Sequence, residues 1–343
     1  MRRILSASKF QRMELMTASR KGKTHDNEDR IVAMQNLVSS IQDDDDDDEN
    51  ERKGGFDISD VKYLGVFDGH GGVECADYMA TNLHEHIIRA ARIGRCNSFQ
   101  DLKYILADAF KAADEEFCST YSTNNSGSCC AVALIYGSEI LVAHVGDCRA
   151  VLRCNNTTVR LTRDHRASDE DEMKRVLGMG GKIVNGRVGG IMSPTRSFGD
   201  LDVREEWGEG ILISEPDVTY ATLEKEGDLR PQSSVSSSPS SPNSSSSKAS
   251  SCFLLLASDG VFDEMSCDEV CKHVELNLKR ADFRKAADKL AKIATTKTLD
   301  DCSVAMAVWC CPEPDTPTRV MSKRYEMVEM VDDGGSPRSP TTD

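Results

Sequence analysis

The stretch Leu64-Gly65-Val66-Phe67-Asp68-Gly69-His70-Gly71-Gly72 restricts the fold more than any other part of the chain. Its apolar run, preceded by Val61 and Tyr63 on either side of Lys62, predicts a largely buried strand that ends on an acid, a histidine and glycines. Strand ends of this kind deliver polar groups to a rim. Asp68 can hold a hard cation through oxygen, His70 titrates near neutral pH, and the glycines let backbone carbonyls and a bulky ligand come close. Alone, the segment reads equally well as a tight turn between a strand and a helix.

The flanking patterns alternate between strand and helix. Strands are predicted over 13–19 and 30–37, and after Gly72 Cys75, Met79, Leu83 and Ile87 form one helical stripe that leaves His84 and His86 facing solvent. A second helix is expected over 99–117, with Ser98 as its cap. Short strands follow at 130–136, 140–145, 150–153 and 159–162, and Gly137-Ser138 joins the first two as a hairpin. A helix over 168–179 is stopped by Gly180-Gly181. Cys252 to Ala257 reads as a buried strand, Ser266 with Glu269 as a capping box opening a helix, 283–294 as another helix, and 304–309 as the last strand. Strands in two groups, with helices after each, predict an α+β layered domain. Two insertions near 43–55 and 230–251, one charged and one Ser/Pro-rich, are expected to be disordered, as is a tail over 313–343.

Acidic residues recur where the predicted strands and turns begin and end: Glu28 and Asp29, Asp68, Asp147, Asp259, and Asp300 with Asp301. Each alone reads as a turn residue or helix cap. Brought together without matching cations they would repel, and a divalent metal relieves that repulsion. The donor set favours Mg²⁺ or Mn²⁺ over zinc. Two such ions about 3.5 to 4 Å apart suit in-line hydrolysis of a phosphate ester. The formal charge of -15 argues against nucleic acid or an anionic membrane as partner. Thirteen scattered cysteines without a CxxC pair fit a reducing compartment. With no signal peptide or membrane span in the pattern, a soluble cytoplasmic or nuclear protein is expected.

With these motifs in hand, the chain resembles the metal-dependent type-2C serine/threonine protein phosphatases from about Thr17 to Val308. The resemblance rests on an ordered set: Asn27-Glu28-Asp29, Phe67-Asp68-Gly69-His70-Gly71-Gly72, Ser126-Gly127-Ser128, Val145-Gly146-Asp147-Cys148-Arg149-Ala150 and Leu161-Thr162-Arg163-Asp164-His165. It continues through Gly180-Gly181 with Arg187-Val188, Thr195-Arg196-Ser197-Phe198-Gly199-Asp200, Ala257-Ser258-Asp259-Gly260, and Asp300 before Ser303-Val304. The resemblance implies a phosphatase domain over 13–312, built as an α-β-β-α sandwich of two antiparallel sheets flanked by helices. It further implies that Asp68 bridges two ions, that the Gly69 carbonyl ligates one, and that Asp259 and Asp300 complete the other's shell. Glu28 and Asp29 would act directly or through water, and Asp147 would help hold a weaker third ion. His70 would protonate the departing serine or threonine oxygen, which its reference pKa of about 6.5 suits. Phosphoprotein substrates and a monomeric state are implied by the same resemblance.

The sequence departs from that pattern at Thr24, where the family usually carries a phosphate-clasping arginine or lysine; neighbouring Lys23 would face the other way on a regular strand. Losing one charged hydrogen bond costs about 1.5 to 3 kcal/mol, or about 10- to 100-fold in substrate handling. Cys129, His144, Cys148, Gly189, Pro194 and Asp301 are milder departures, with His144 and Cys148 expected to pack beside a strand. Thr24 and Gly189 leave a second reading open: a pseudophosphatase that binds and occludes a phosphoprotein or kinase partner.

Overall fold

The computed structural model describes residues 12–37, 56–154, 156–208, 210–225, 252–280, 282–310 and 318–325. The first half of the chain forms β1 (Arg12–Arg20), β2 (Arg30–Met34), β3 (Lys62–His70), α1 (Glu74–Ile93), α2 (Leu102–Thr120), β4 (Gly127–Tyr136), β5 (Glu139–Val145), β6 (Arg149–Cys154) and β7 (Thr157–Arg160). Next come α3 (Glu170–Gly178), β8 (Ile183–Val184), β9 (Arg187–Val188), β10 (Phe198–Gly199), α4 (Leu201–Trp207) and β11 (Asp217–Lys225). The described chain closes with β12 (Cys252–Ala257), α5 (Asp259–Phe262), α6 (Cys267–Leu278), α7 (Ala286–Ala294), β13 (Cys302–Cys310) and β14 (Thr318–Tyr325).

One antiparallel sheet runs β1-β13-β12-β6-β7 and the other β14-β11-β5-β4-β3-β2, with β10 paired to β4. The period-2 alternation of the strands divides their side chains between two faces. Leu64, Val66, Ala133, Val142, Leu152, Leu254, Ala305 and Trp309 meet between the sheets. The opposite face of one sheet, with Phe67, Val132 and Leu141, packs on α1 and α2. That of the other, with Phe253, Leu255 and Met306, packs on α6 and α7. The result is the α-β-β-α sandwich.

Cys75, Met79, Leu83 and Ile87 are each 0% exposed, as their stripe requires. His86 departs from expectation. It is 5% exposed and lies 3.6 Å from Glu116, because α2 covers the flank of α1 beside the stripe and widens the buried arc. The hairpin joins Tyr136 to Glu139, with Gly137 at φ 61°. Ser266 accepts from the Glu269 amide while Glu269 accepts from that of Ser266, completing the capping box.

The insertions expected near 43–55 and 230–251 lie outside the described residues. The segment read as a tail is corrected in part: β14 pairs antiparallel with β11, from Lys225↔Thr318 to Val218↔Tyr325. The reason is that the edge of β11 remote from β5 offers backbone groups to a further strand. No described helix is long and apolar enough to cross a membrane.

Candidate active site

Register brings the acidic strand ends to one end of the sandwich. Arg30 faces Phe67 across β2 and β3, so Asp29 and Asp68 stand just beyond that pair at one rim. Ala257 faces Val304 across β12 and β13, so Asp259 and the Asp300-Asp301 turn reach the same rim. The Asp259 amide lies 3.4 Å from Asp68 Oδ2. Ser258 Oγ donates to Asp29 Oδ2 at 2.9 Å and accepts from the Ser303 amide at 3.0 Å, which joins β2, β12 and β13. Gly69 packs directly on Glu28, where a Cβ would lie 2.6 Å from the Glu28 carbonyl oxygen.

The cluster resists ionisation. Burial, then the charges of Asp29, Asp259, Asp147 and Asp300, push the Asp68 carboxyl well above the usual carboxylate range. Burial pushes Asp29 up to about 7, against hydrogen bonds from Ser303 and Ser258 that pull it down. Asp259 is also pushed well up, by burial and then by Asp147, Asp263 and Asp300. Such a set is short of positive charge. Oxygen donors from Asp68, Asp29, Asp259, Asp300 and the Gly69 carbonyl fit hard divalent cations, which would restore the ionised forms.

His70 ends β3 beside this cluster. Its Nε2 lies 2.9 Å from Asp200 Oδ1, and Ser197 Oγ donates to Asp200 Oδ2 at 2.5 Å. Burial draws the His70 pKa down, but the Asp200 hydrogen bond and charge outweigh it, and the net shift is upward. Gly127 borders this pair, and a Cβ there would collide with both His70 and Asp200.

Thr24 is exposed in a bend, not a strand, so the alternation argument applied to Lys23 does not hold. The bend is fastened by Asp301, which is 3% exposed and accepts from the Gly22 amide at 2.6 Å and the Glu28 amide at 2.9 Å. His25 stands over it, 3.8 Å from Glu28, 3.9 Å from Asp300 and 3.8 Å from Asp301.

The sequence reading gave no role to Asp200, Arg166 or Asp263. Arg166 Nε lies 2.7 Å from Asp147 and its Nη2 2.8 Å from Asp259. Asp263 stands one helical turn beyond Asp259, a spacing that could have marked it. Arg166 carries no such signal.

A second cluster deserves a different reading. Donor atoms of His144, His165 and Asp217 lie within 4.8 Å of one another. His165 Nδ1, however, accepts from the Gly146 amide at 3.1 Å, so its Nε2 carries the proton and faces Asp217 Oδ2 at 3.5 Å. The His144 and His165 rings are stacked at 4.4 Å and 11°, which sets their in-plane lone pairs side by side. His144 Nε2 donates to the Arg163 carbonyl at 2.7 Å, and burial followed by His165 draws its pKa down to about 3. The two imidazoles form a neutral packed stack that holds the Gly146 turn, and the Asp217 carboxylate beside them is paired with Arg196, so the group is not a metal cage. His144 therefore packs, as does Cys148, which is 0% exposed.

Two packed antiparallel sheets with a rim of buried carboxylates make a frame suited to holding divalent cations. Residues 14–303 match the profile of the family described as Protein phosphatase 2C, and the chain belongs to that family, whose members use divalent metals. It is similar to a rice (Oryza sativa subsp. japonica) protein named probable protein phosphatase 2C 27, at 30% identity over 256 residues, covering 72% of this chain and 64% of the rice one. The chain thus spans just under two thirds of that relative's length. A solved C. elegans sex determining protein superposes with TM-score 0.62 at 25% identity, over 88% of this chain and 65% of that one. A Toxoplasma gondii serine-threonine phosphatase 2C shares the fold, with TM-score 0.61 at 19% identity, over 87% of this chain and 94% of that one.

Proposed function

We propose that this chain is a metal-dependent protein phosphatase that hydrolyses phosphoserine and phosphothreonine in proteins. The observation that carries the reading is the convergence of Asp68, Asp29, Asp147, Asp259 and Asp300 at one rim, where burial and neighbouring carboxylates raise the proton affinities of Asp68, Asp29 and Asp259 despite the Arg166 guanidinium bonded to Asp147 and Asp259. Asp68 would be shared by two Mg²⁺ or Mn²⁺ ions, the Gly69 carbonyl would serve one, and Asp259 and Asp300 would serve the other. Glu28 and Asp29 would act directly or through water, and Asp147 would face a weaker third ion. When bound, such ions supply an activated water and neutralise charge on the phosphate.

The chain's own residues supply the rest. Asp200 engages Nε2 of His70 and stabilises the imidazolium, so the proton passed to the departing serine or threonine oxygen is carried on Nδ1. Ser197 fixes the other oxygen of Asp200 and thereby the ring's orientation. Asp301 holds the bend that presents Glu28.

The exposed Thr24 favours the second reading, a pseudophosphatase that binds a phosphoprotein without turning it over. Hydrolysis of a phosphothreonine peptide in Mn²⁺ or Mg²⁺ separates the two. The expected result is metal-dependent turnover, lost in Asp68→Asn and raised about 10- to 100-fold in Thr24→Arg. Binding of the peptide without turnover in the unmodified protein would leave only the occluding role.

A further inference from the structure

Asp147 follows β5, Asp259 opens α5 and Asp263 caps its end, and all of them face one guanidinium. Arg166 Nε lies 2.7 Å from Asp147 Oδ2, while Nη2 lies 2.8 Å from Asp259 Oδ2 and 3.4 Å from Asp263 Oδ1. Its backbone is held by a bridge to Pro194 and by the Asp169 amide, which donates to the Arg166 carbonyl at 2.9 Å. The side chains of Arg166 and Asp263 are 25% and 42% exposed, so the guanidinium has a path to solvent.

We propose that Arg166 is a resident cation that competes with a divalent ion for the Asp147-Asp259-Asp263 position. The chain then holds two ions tightly and admits a third only when this side chain swings out. The inference rests on the phosphatase reading in taking Asp68, Asp259 and Asp300 as holders of the two tight ions. Its physical basis is that a carboxylate cluster needs positive charge from some source. A guanidinium supplies it with directional donors and keeps its charge at any accessible pH. A divalent ion brings twice the charge but must shed water and displace those hydrogen bonds. The two occupants exclude each other because both use the same carboxylate oxygens.

Mn²⁺ binding to the full chain, followed by the electron paramagnetic resonance of free Mn²⁺, tests this without reference to turnover. In Arg166→Met the third dissociation constant should fall at least tenfold, while the two tight sites stay within about twofold. Adding Asp263→Asn to Arg166→Met should weaken the third ion again. Arg166→Lys keeps the charge but loses the forked contact, so its third ion should tighten by a smaller factor; this variant serves if the Met protein does not fold. Two tight ions with an unchanged third in these variants overturn the inference and leave the phosphatase reading intact. Absence of any tight Mn²⁺ in the unmodified chain and in Arg166→Met overturns both.

Discussion

At position 301 an aspartate and an asparagine would differ in a countable way. Each oxygen of Asp301 accepts one part-buried amide, from Gly22 and from Glu28. An asparagine can accept only one and turns an N–H toward the other. Asp301→Asn should therefore cost about 1 to 3 kcal/mol in urea unfolding, and Asp301→Ala more, because both amides are stranded. Unchanged midpoints in both would show that the bend holds itself. The residue types at this rim were legible in the sequence, because acids at strand ends have little structural use in numbers. Their directions were not. Regular-strand alternation was applied to Lys23, yet Lys23 lies in a bend, and Asp301 lies in the turn before β13.

At the scale of elements, α3 is tied to the segment after β9 through one carboxylate. Glu172 accepts from Thr195 Oγ1 at 2.6 Å, Arg175 Nη2 at 3.0 Å and Arg196 Nε at 3.0 Å. Burial by itself would raise its pKa, but the Arg196 bond and charge, then Thr195 and Arg175, hold it down at about 2, below its ordinary 4.5. The folded value lies below the unfolded one, so the contribution is complete above pH about 4.5 and is lost as pH falls through 2. It amounts to about 3 kcal/mol. Glu172→Gln should thus unfold more easily at pH 7, and its deficit against the natural chain should shrink between pH 4.5 and 2. A pH-independent deficit would assign the loss to packing. Elements with local punctuation were readable: α6 from its capping box, β4 and β5 from Gly137-Ser138, α1 from its stripe. β11 was missed although Ala221 and Leu223 alternate inward, because Thr219 and Val218 are both buried and blur the period. β14 owes its place to pairing with β11, which no local pattern announces.

For the whole molecule, the crowded carboxylates mean that a divalent ion bound among them would stabilise the fold, and the fold the ion. Chelation should lower the melting temperature, and Mn²⁺ at about 100 times its dissociation constant should restore about 2.7 kcal/mol. A melting curve indifferent to chelator would sink the metal assignment. The sandwich itself could be anticipated, since two groups of strands with helices after each admit few layered solutions. Its closure is a matter of distance along the chain. β1 lies against β13 in full register, and the Gly22 amide is held by a carboxylate 279 residues further on. During synthesis, Glu28, Asp29 and Asp68 leave the ribosome long before Asp259, Asp300 and β13 exist to meet them. An unfinished chain of this protein therefore lacks part of its carboxylate rim, which is completed late, when the last inner strand slides in beside the first.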